Sequence, residues 1–344
     1  MGGLQCARLE RRRPRRRDEI TCLAPRDTRS GTRYAPRMEI DFARFVEGRR
    51  ARFDRDRPGD SYAFSVDRRL LEAMRALRPV ELAVSSTVRL GKGLATGDLL
   101  GTAVKVGPSQ FPRVHAIVLE CADTLGIVQP TVFVQGRIDS LNAWTTGTDR
   151  ESIIVLHAAT VDALDDDALR FVVGHECGHI QNGHVVYLSA LRMLTDLASA
   201  VFGWFVRPAL LALQRWSRAA EVTCDRAGLL CCKDVNVGQR ALLELVVGSA
   251  RLFRELDVES YLDQLREGRE GLGRAVELVR SHPYVPKRLE AMRLFAQSER
   301  YRRSVGLEGG RALADVDHAV EDVLQVVAVW DRAAHPGILQ VALA

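Results

Sequence analysis

The sequence predicts an α+β fold, in which a mostly helical body carries a small β-sheet beside one central helix. Two observations predict this fold. Short apolar runs at 131–134 and 152–156 lie between turn residues, which is typical of strands. Longer segments with apolar residues at helical spacing dominate the chain after residue 165. Hydrophobic residues make up 47% of the 344 positions, which favours a globular protein over a disordered chain.

Four elements are predicted before the central helix. Apolar residues at helical spacing predict a helix over Pro112–Gly126. Strands are predicted at Thr131–Val134 and at Ser152–Leu156, with Asn142–Thr146 pairing beside the second of them. Together they form the small sheet of the predicted fold.

The central helix is predicted by its start signal and by its apolar stripe. Asp165, Asp166 and Asp167 provide an N-cap candidate and two acids in the first turn, where they favour the positive end of the helix dipole. Gly178 weakens the helix but allows another backbone to approach closely. The residues predicted to face the core are Leu169, Val173, Cys177 and Ile180.

Two histidines lie four residues apart on this helix. His175 and His179 share one face, one turn apart, so both can bind the same metal ion. Glu176 lies about 100° further round the helix, where it can act on a water molecule rather than on the metal. This H-E-x-x-H spacing indicates a zinc hydrolase. The alternative is an ordinary amphipathic helix with two surface histidines.

The segment Leu191–Trp216 predicts an amphipathic helix that breaks near Pro208. Its longest run without charge, Leu197–Val206, is ten residues, whereas a transmembrane helix needs about 20. We therefore expect no transmembrane span. Packing on the protein is the favoured interpretation, and peripheral binding at a membrane interface through residues 191–216 is the alternative.

A second pair of chemically active residues follows that segment. Glu221 and Asp225 lie one turn apart on a helix in which Ala220, Ala227 and Gly228 allow close packing. A catalytic zinc site has three protein ligands and one open position, and Glu221 is the predicted third ligand. Asp225 is predicted to accept the second N–H group of a ligand histidine. The alternative for both acids is a solvated charged face.

The remaining helices are predicted from apolar periodicity alone. They cover Gln239–Leu256, Tyr261–Arg280, Lys287–Arg303 and Leu313–Trp330.

Three ordered motifs in this chain resemble one protein family. They are His-Glu-Cys-Gly-His-Ile-Gln-Asn-Gly-His at 175–184, Arg-Ala-Ala-Glu-Val-Thr-Cys-Asp-Arg-Ala-Gly at 218–228, and Ser-His-Pro-Tyr-Val-Pro-Lys-Arg at 281–288. They resemble the M48 family of zinc metallopeptidases, the gluzincin group of the CAAX prenyl proteases and HtpX. The resemblance spans roughly Phe111 to Ala296. It implies a zincin-like fold, one zinc ion per chain, and hydrolysis of peptide bonds in a peptide or protein substrate.

The resemblance also implies residue roles. The implied zinc ligands are His175, His179 and Glu221. Glu176 would be the general base, His282 would stabilise the oxyanion, and Arg288 would line the site. The segment that resembles the family's edge strand beside the substrate cleft contributes Asn142, Ala143 and Trp144. A capping residue is the alternative for His282, and His184 is expected to pack or to orient a ligand rather than to bind zinc.

The sequence leaves other classes of function open. Esterase or deacetylase chemistry uses the same zinc and glutamate, so peptide hydrolysis depends on the resemblance. A zinc-binding scaffold without activity would close the fourth position of the metal with another ligand. A membrane-surface or nucleic-acid adaptor would work through the basic N-terminal segment. No specific nucleic acid partner is expected.

The seven cysteines of the chain indicate which cellular compartment the protein occupies. An odd number, with Cys231 and Cys232 adjacent and two others on the motif helices, indicates reduced thiols in the cytoplasm. No apolar segment of a signal peptide follows the N-terminal arginines, so secretion is not expected. A metal site formed by Cys224, Cys231 and Cys232 is a weaker alternative, because the spacing is unfamiliar.

The chain divides into four predicted regions. Residues 1–37 contain eleven arginines and four acids, a formal charge of +7, whereas the whole chain carries +5. We predict that they form a disordered basic tail, and an extension upstream of a true start at Met38 is the alternative interpretation. Residues 38–107 form an N-terminal region, 108–300 the peptidase-like domain, and 301–344 a helical extension.

Deleting residues 1–37 is expected to leave the melting temperature and the metal content of the protein unchanged. The segment lacks apolar periodicity and contains none of the predicted site residues. Calorimetry and elemental analysis of the truncated and full-length proteins measure both quantities. A large fall in melting temperature on truncation would contradict a disordered tail.

Overall fold

The computed structural model describes residues 62–76, 99, 101–147, 152–198, 203–258, 260–261 and 285–324. Its strands are β1 (Ala103–Lys105), β2 (Thr131–Gln135), β3 (Ala143–Gly147) and β4 (Ser152–His157). The helices of the described residues include α1 (Ser65–Ala76), α2 (Pro112–Leu125), α3 (Ala158–Ala163), α4 (Asp166–Gln181), α5 (Val185–Ala198) and α6 (Gly203–Cys232). They are followed by α7 (Val235–Val247), α8 (Ala250–Phe253), α9 (Val285–Ala296), α10 (Glu299–Ser304) and α11 (Leu313–Leu324). The predicted α+β class, a helical body with a small sheet, is confirmed.

The four strands form one mixed sheet in the order β1-β2-β4-β3. β2 and β4 are parallel, whereas β1 and β3 run antiparallel to their neighbours. Val132 and Val134 lie opposite Ile154 and Leu156, and these four residues share one core with apolar residues of α2 and α4. The predicted strands and their pairing are confirmed, and β3 is the last strand at one side of the sheet.

The central helix α4 begins as its sequence predicts. Asp165 is the N-cap, and its side chain accepts a hydrogen bond of 2.9 Å from the backbone N–H of Ala168. Leu169, Val173 and Cys177 are buried in the main core. The opposite side of α4 is therefore left to face other groups, among them both motif histidines.

Small residues bring α4 and α6 into close contact. A methyl group added at Gly178 would lie 2.7 Å from Cβ of Ala227 and 3.2 Å from Cα of Cys224. One added at Gly174 would lie 2.7 Å from Cβ of Cys231 and 3.1 Å from Cα of Gly228. Two helices can approach this closely only where side chains are absent or small. This contact sets the distance between the two motif helices.

Helix α6 also holds both ends of the described chain through a buried arginine. The guanidinium of Arg226 is 2.7 Å from Oδ1 of Asp317 on α11. Its Cζ lies 5.3 Å from the ring centre of Phe64 and 5.0 Å from that of Phe295. Asp317 in turn accepts a hydrogen bond of 2.9 Å from the backbone N–H of Ser65 at the start of α1. Because Arg226 is almost completely buried, the pair ties α1 and α11 to the helix that carries Glu221.

Three predicted helices differ from the observed ones. The predicted break near Pro208 is wrong, because Pro208 lies in the second turn of α6, where the helix forgoes one backbone hydrogen bond without ending. The predicted helix Gln239–Leu256 is divided at Gly248, which adopts φ 71° and caps α7. The predicted helix Lys287–Arg303 is also divided, because Ser298 leaves the helix and caps α10 through a bond to the N–H of Tyr301.

Helix α1 was not predicted from the sequence, although it packs on α6. Several predictions also fall partly or wholly outside the described residues. The predicted tail 1–37 and most of the predicted helix Tyr261–Arg280 lie outside the described residues, as does the end of the helix predicted over Leu313–Trp330. Within the described ranges, no helix has the length and apolar character needed to span a membrane.

The substitution Gly178→Ala is expected to destabilise the protein by about 1–3 kcal/mol, because overpacking against Ala227 outweighs the gain in helix propensity. Chemical denaturation measures the change in the free energy of unfolding. Adding Ala227→Gly to the variant is expected to recover part of the loss, whereas Gly136→Ala, where the added methyl meets no atom within 4 Å, is the matched control. A neutral Gly178→Ala would show that this contact does not limit the helix spacing.

Candidate metal centre

His175 and His179 lie on one face of α4 and converge on Glu221 of α6. Nε2 of His175 is 3.6 Å from Oε2 of Glu221, and Nε2 of His179 is 3.7 Å from Oε1. All three side chains are buried. Ligand atoms bonded tetrahedrally to zinc at about 2.0–2.1 Å are separated by about 3.4 Å. The three residues therefore form a group of nitrogen and oxygen atoms with the spacing that a zinc ion requires.

Asp225 and Arg288 surround this group from the side of α6 and α9. Oδ1 of Asp225 is 3.0 Å from Nδ1 of His175, so the carboxylate can accept that N–H and leave Nε2 of the ring unprotonated. Arg288 donates two hydrogen bonds to Asp225, of 2.6 and 2.8 Å, and its other nitrogen is 3.1 Å from Oε2 of Glu221. Its positive charge offsets part of the negative charge of the two buried carboxylates.

Neighbouring carboxylates shift the pKa values of the buried His175 and Arg288. Burial opposes a charge on His175, but the hydrogen bond with Asp225 and the negative charge of Glu221 outweigh it and raise the pKa of this histidine. Burial likewise opposes a charge on Arg288, and the charges of Asp225 and Glu221 raise its pKa well above the ordinary value.

Glu176 lies beside the group and not within it. Its carboxylate accepts a hydrogen bond of 2.5 Å from the hydroxyl of Thr145 on β3. Burial raises the pKa of Glu176 above its ordinary value, although the charge of His175 and the bond from Thr145 oppose the change. The result is a buried carboxylate with increased affinity for a proton, held in place by the edge strand.

The last strand of the sheet provides one wall of this site. β3 pairs with β4 on one side, and Trp144 alternates with Thr145 so that the two side chains lie on opposite faces. The guanidinium of Arg192, on α5, lies 4.7 Å from the ring centre of Trp144. Of the predicted edge-strand residues, Ala143 and Trp144 lie in β3 and Asn142 directly precedes it.

The structure brings together most of the residues that the sequence predicts. Helices α4, α6 and α9 supply the five that meet at one point: His175, His179, Glu221, Asp225 and Arg288. The predicted oxyanion residue, His282, lies outside the described residues and stays a prediction. The predicted alternative of a site formed by three cysteines is not among the groups of neighbouring ligand atoms that the described residues form.

Two buried groups were missed by the sequence analysis. Thr145 contacts Glu176 from a strand that reads as ordinary alternating sequence, so nothing local indicates its role. Asp67 lies in the first turn of α1, where an acid is expected for the helix dipole alone. Yet it is buried and only 3.1 Å from Nε2 of His184. Both contacts join segments that are distant in sequence.

Comparison with known proteins adds a family assignment to this geometry. The model of the family described as peptidase family M48 matches residues 108–295, more than half of the chain. That range contains the two motif helices, the edge strand and Arg288. Asp67 and helix α1 lie before it. No solved structure matches the chain significantly.

Relatives of known name agree with the match. Plastoglobule-localized metallopeptidase 48, chloroplastic, of Arabidopsis thaliana is 34% identical over 171 residues, which cover 48% of this chain and 49% of that protein. A protease HtpX homolog of Bordetella pertussis is 31% identical over 104 residues, covering 28% of this chain and 34% of the homolog. The chain thus spans about half or less of the length of these relatives. On the family match and the residues that it contains, the chain belongs to peptidase family M48.

Proposed function

We propose that the protein is a zinc-dependent endopeptidase that holds one zinc ion per chain through His175, His179 and Glu221. The observation that carries the proposal is the convergence of these three side chains at 3.6–3.7 Å, with Glu176 beside them. Membership in a peptidase family favours peptide bonds over other acyl substrates. A peptide or protein substrate is therefore proposed.

The residues of this chain divide the chemistry among them. When bound, zinc supplies Lewis-acid polarisation of a carbonyl and makes water more acidic. Glu176 takes the proton from the attacking water at its carboxylate and returns it to the leaving amine. Thr145 donates to that carboxylate and fixes its orientation. Asp225 keeps Nε2 of His175 unprotonated, and Arg288 offsets part of the negative charge of Asp225 and Glu221.

We propose that the substrate binds as an extended strand along β3, at the edge of the sheet. An extended peptide can add to an exposed strand through backbone hydrogen bonds, which places one of its carbonyl groups at a fixed position. Asn142, Ala143 and Trp144 are the proposed contacts, since β3 is the last strand and its neighbour Thr145 contacts Glu176. His282 is proposed to stabilise the oxyanion from the segment before α9.

A zinc-binding scaffold without activity is the alternative function. Glu176 argues against it, because a structural site has no use for a buried carboxylate next to an open metal position, and burying that charge is costly. A cytoplasmic location is proposed from the cysteine content, and the five cysteines among the described residues are free thiols. Peripheral membrane association through residues 191–216 remains part of the proposal.

The purified protein is expected to contain about one zinc per chain, and His179→Ala is expected to lose it. Removing one of three protein ligands leaves too few donors to retain the ion. Elemental analysis after dialysis measures the metal content. His318→Ala, which changes an exposed histidine of α11, is the matched control. Full zinc retention in His179→Ala would reject the ligand assignment.

The substitution Glu176→Gln is expected to lower hydrolysis of a fluorescently labelled unfolded casein by at least about 100-fold, because the amide cannot accept the proton. Zinc content and melting temperature are expected to stay unchanged, since Glu176 is not a ligand. Glu72→Gln, at an exposed position of α1, is the matched control. A Glu176→Gln variant with nearly full turnover would mean that another group is the base.

A further inference from the structure

A second cluster of buried polar groups lies behind His179 and is not used by the proposed reaction. Helix α4 ends at Gln181, and Gly183, with φ 69°, turns the chain back so that the N–H of His184 donates to the carbonyl of His179 at 3.0 Å. This turn places the two imidazole rings together. Their Nδ1 atoms are 3.2 Å apart, and His184 is completely buried.

The other side of the His184 ring faces a buried carboxylate. Nε2 of His184 is 3.1 Å from Oδ2 of Asp67, which is itself 1% exposed. Asp67 also accepts hydrogen bonds of 2.9 Å from the indole of Trp216 and 2.7 Å from the hydroxyl of Thr223. Each of its oxygens is thus contacted by a donor. An ionised carboxylate can only accept hydrogen bonds. The nitrogen of His184 that faces Asp67 must therefore be a donor, as the indole and the hydroxyl are.

The donor and acceptor roles at these contacts determine which nitrogen of His179 is free. With a proton on Nε2 facing Asp67, a neutral His184 presents the lone pair of Nδ1 to His179. His179 then donates its Nδ1–H into that lone pair, and its Nε2 is left unprotonated. That Nε2 is the atom 3.7 Å from Glu221. The opposite tautomer of His179 would direct an N–H group at the metal position and could not bind an ion there.

We propose that Asp67 and His184 are positioning residues that hold His179 in its metal-binding tautomer, a role that rests on the proposed zinc site. His175 receives the same support directly from Asp225, whereas His179 receives it from Asp67 through an intervening histidine. Asp67 belongs to α1, before the region that matches the family. The N-terminal helix of this chain thus completes the metal centre from behind.

A second metal ion is the competing explanation for the same cluster. Sγ of Cys224 is 3.2 Å from Nδ1 of His179 and 3.7 Å from Nδ1 of His184, so these three atoms also have the spacing of a metal site. Such an ion would require His179 to bind one metal through each ring nitrogen and to lose both ring protons. The chain of contacts from Asp67 through His184 to His179, here called the relay, needs neither a second ion nor that extra deprotonation. It is therefore the favoured interpretation.

The test compares the zinc affinity of four variants in competition with a zinc chelator at neutral pH. His184→Leu and Asp67→Asn are expected to weaken zinc binding by about 10- to 100-fold, as removal of such supporting groups usually does. His184→Gln is expected to recover most of the loss, because its amide can accept from His179 and donate to Asp67 at once. Thr223→Val is the structural control, since it removes a bond to Asp67 and one to the N–H of Phe64 without touching His184.

Each outcome separates this proposal from the others. A melting temperature lowered in all four variants, together with an affinity lowered only in His184→Leu and Asp67→Asn, supports the relay. Equal affinity in wild type and His184→Leu, while His179→Ala loses zinc, overturns the relay and leaves the zinc site intact. Zinc retained in His179→Ala overturns the zinc site itself. Two zinc ions per chain, with one lost in Cys224→Ala, would overturn the relay in favour of a second metal.

Discussion

The close contact between α4 and α6 is the constraint on which the rest of the site depends. His175 and His179 extend from one helix and Glu221 from the other, so the distance between the helices determines whether the three meet. Glycine and alanine at the contact let the backbones approach until added methyl groups would collide. The same small residues carry no chemistry. Their contribution is to bring the two helices close enough for His175, His179 and Glu221 to converge.

Close packing of this kind concentrates buried charge, and the fold offsets that charge with buried partners. Glu221 and Asp225 share the guanidinium of Arg288, and Asp67 has His184, Trp216 and Thr223 as neighbours. Burial alone would raise the pKa of Asp67, but the hydrogen-bond donors around it, His184, Thr223 and Trp216, outweigh burial and lower that pKa below its ordinary value. Removing one member of such a group leaves a charge without its partner, which is costly in a dry interior.

The segments outside the family match take part in the same structure. Arg226 joins α11 and the residues before α1 to the helix that carries Glu221, through Asp317 and the carbonyl of Tyr62. Asp67 of α1 contacts His184, which lies behind the candidate metal centre. The match begins at residue 108, yet the residues that surround its two central helices include some that come before it and some that come after. Contacts from α1, α11 and Tyr62 therefore help to hold the site, although none of these segments contains a family motif.

What the sequence determined by itself is local. Periodicity predicted α4, its N-cap at Asp165 and the pairs His175–His179 and Glu221–Asp225, because residues four apart on a helix share a face whatever surrounds them. The helix ends at Gly248 and Ser298 were missed, since a single residue that leaves the helix changes little in the apolar pattern. Only the tertiary structure decided that Thr145 meets Glu176 and that Asp67 meets His184. These contacts join segments that are 31 and more than a hundred residues apart, and the packing of separate elements, rather than any spacing along the chain, sets which of their side chains touch.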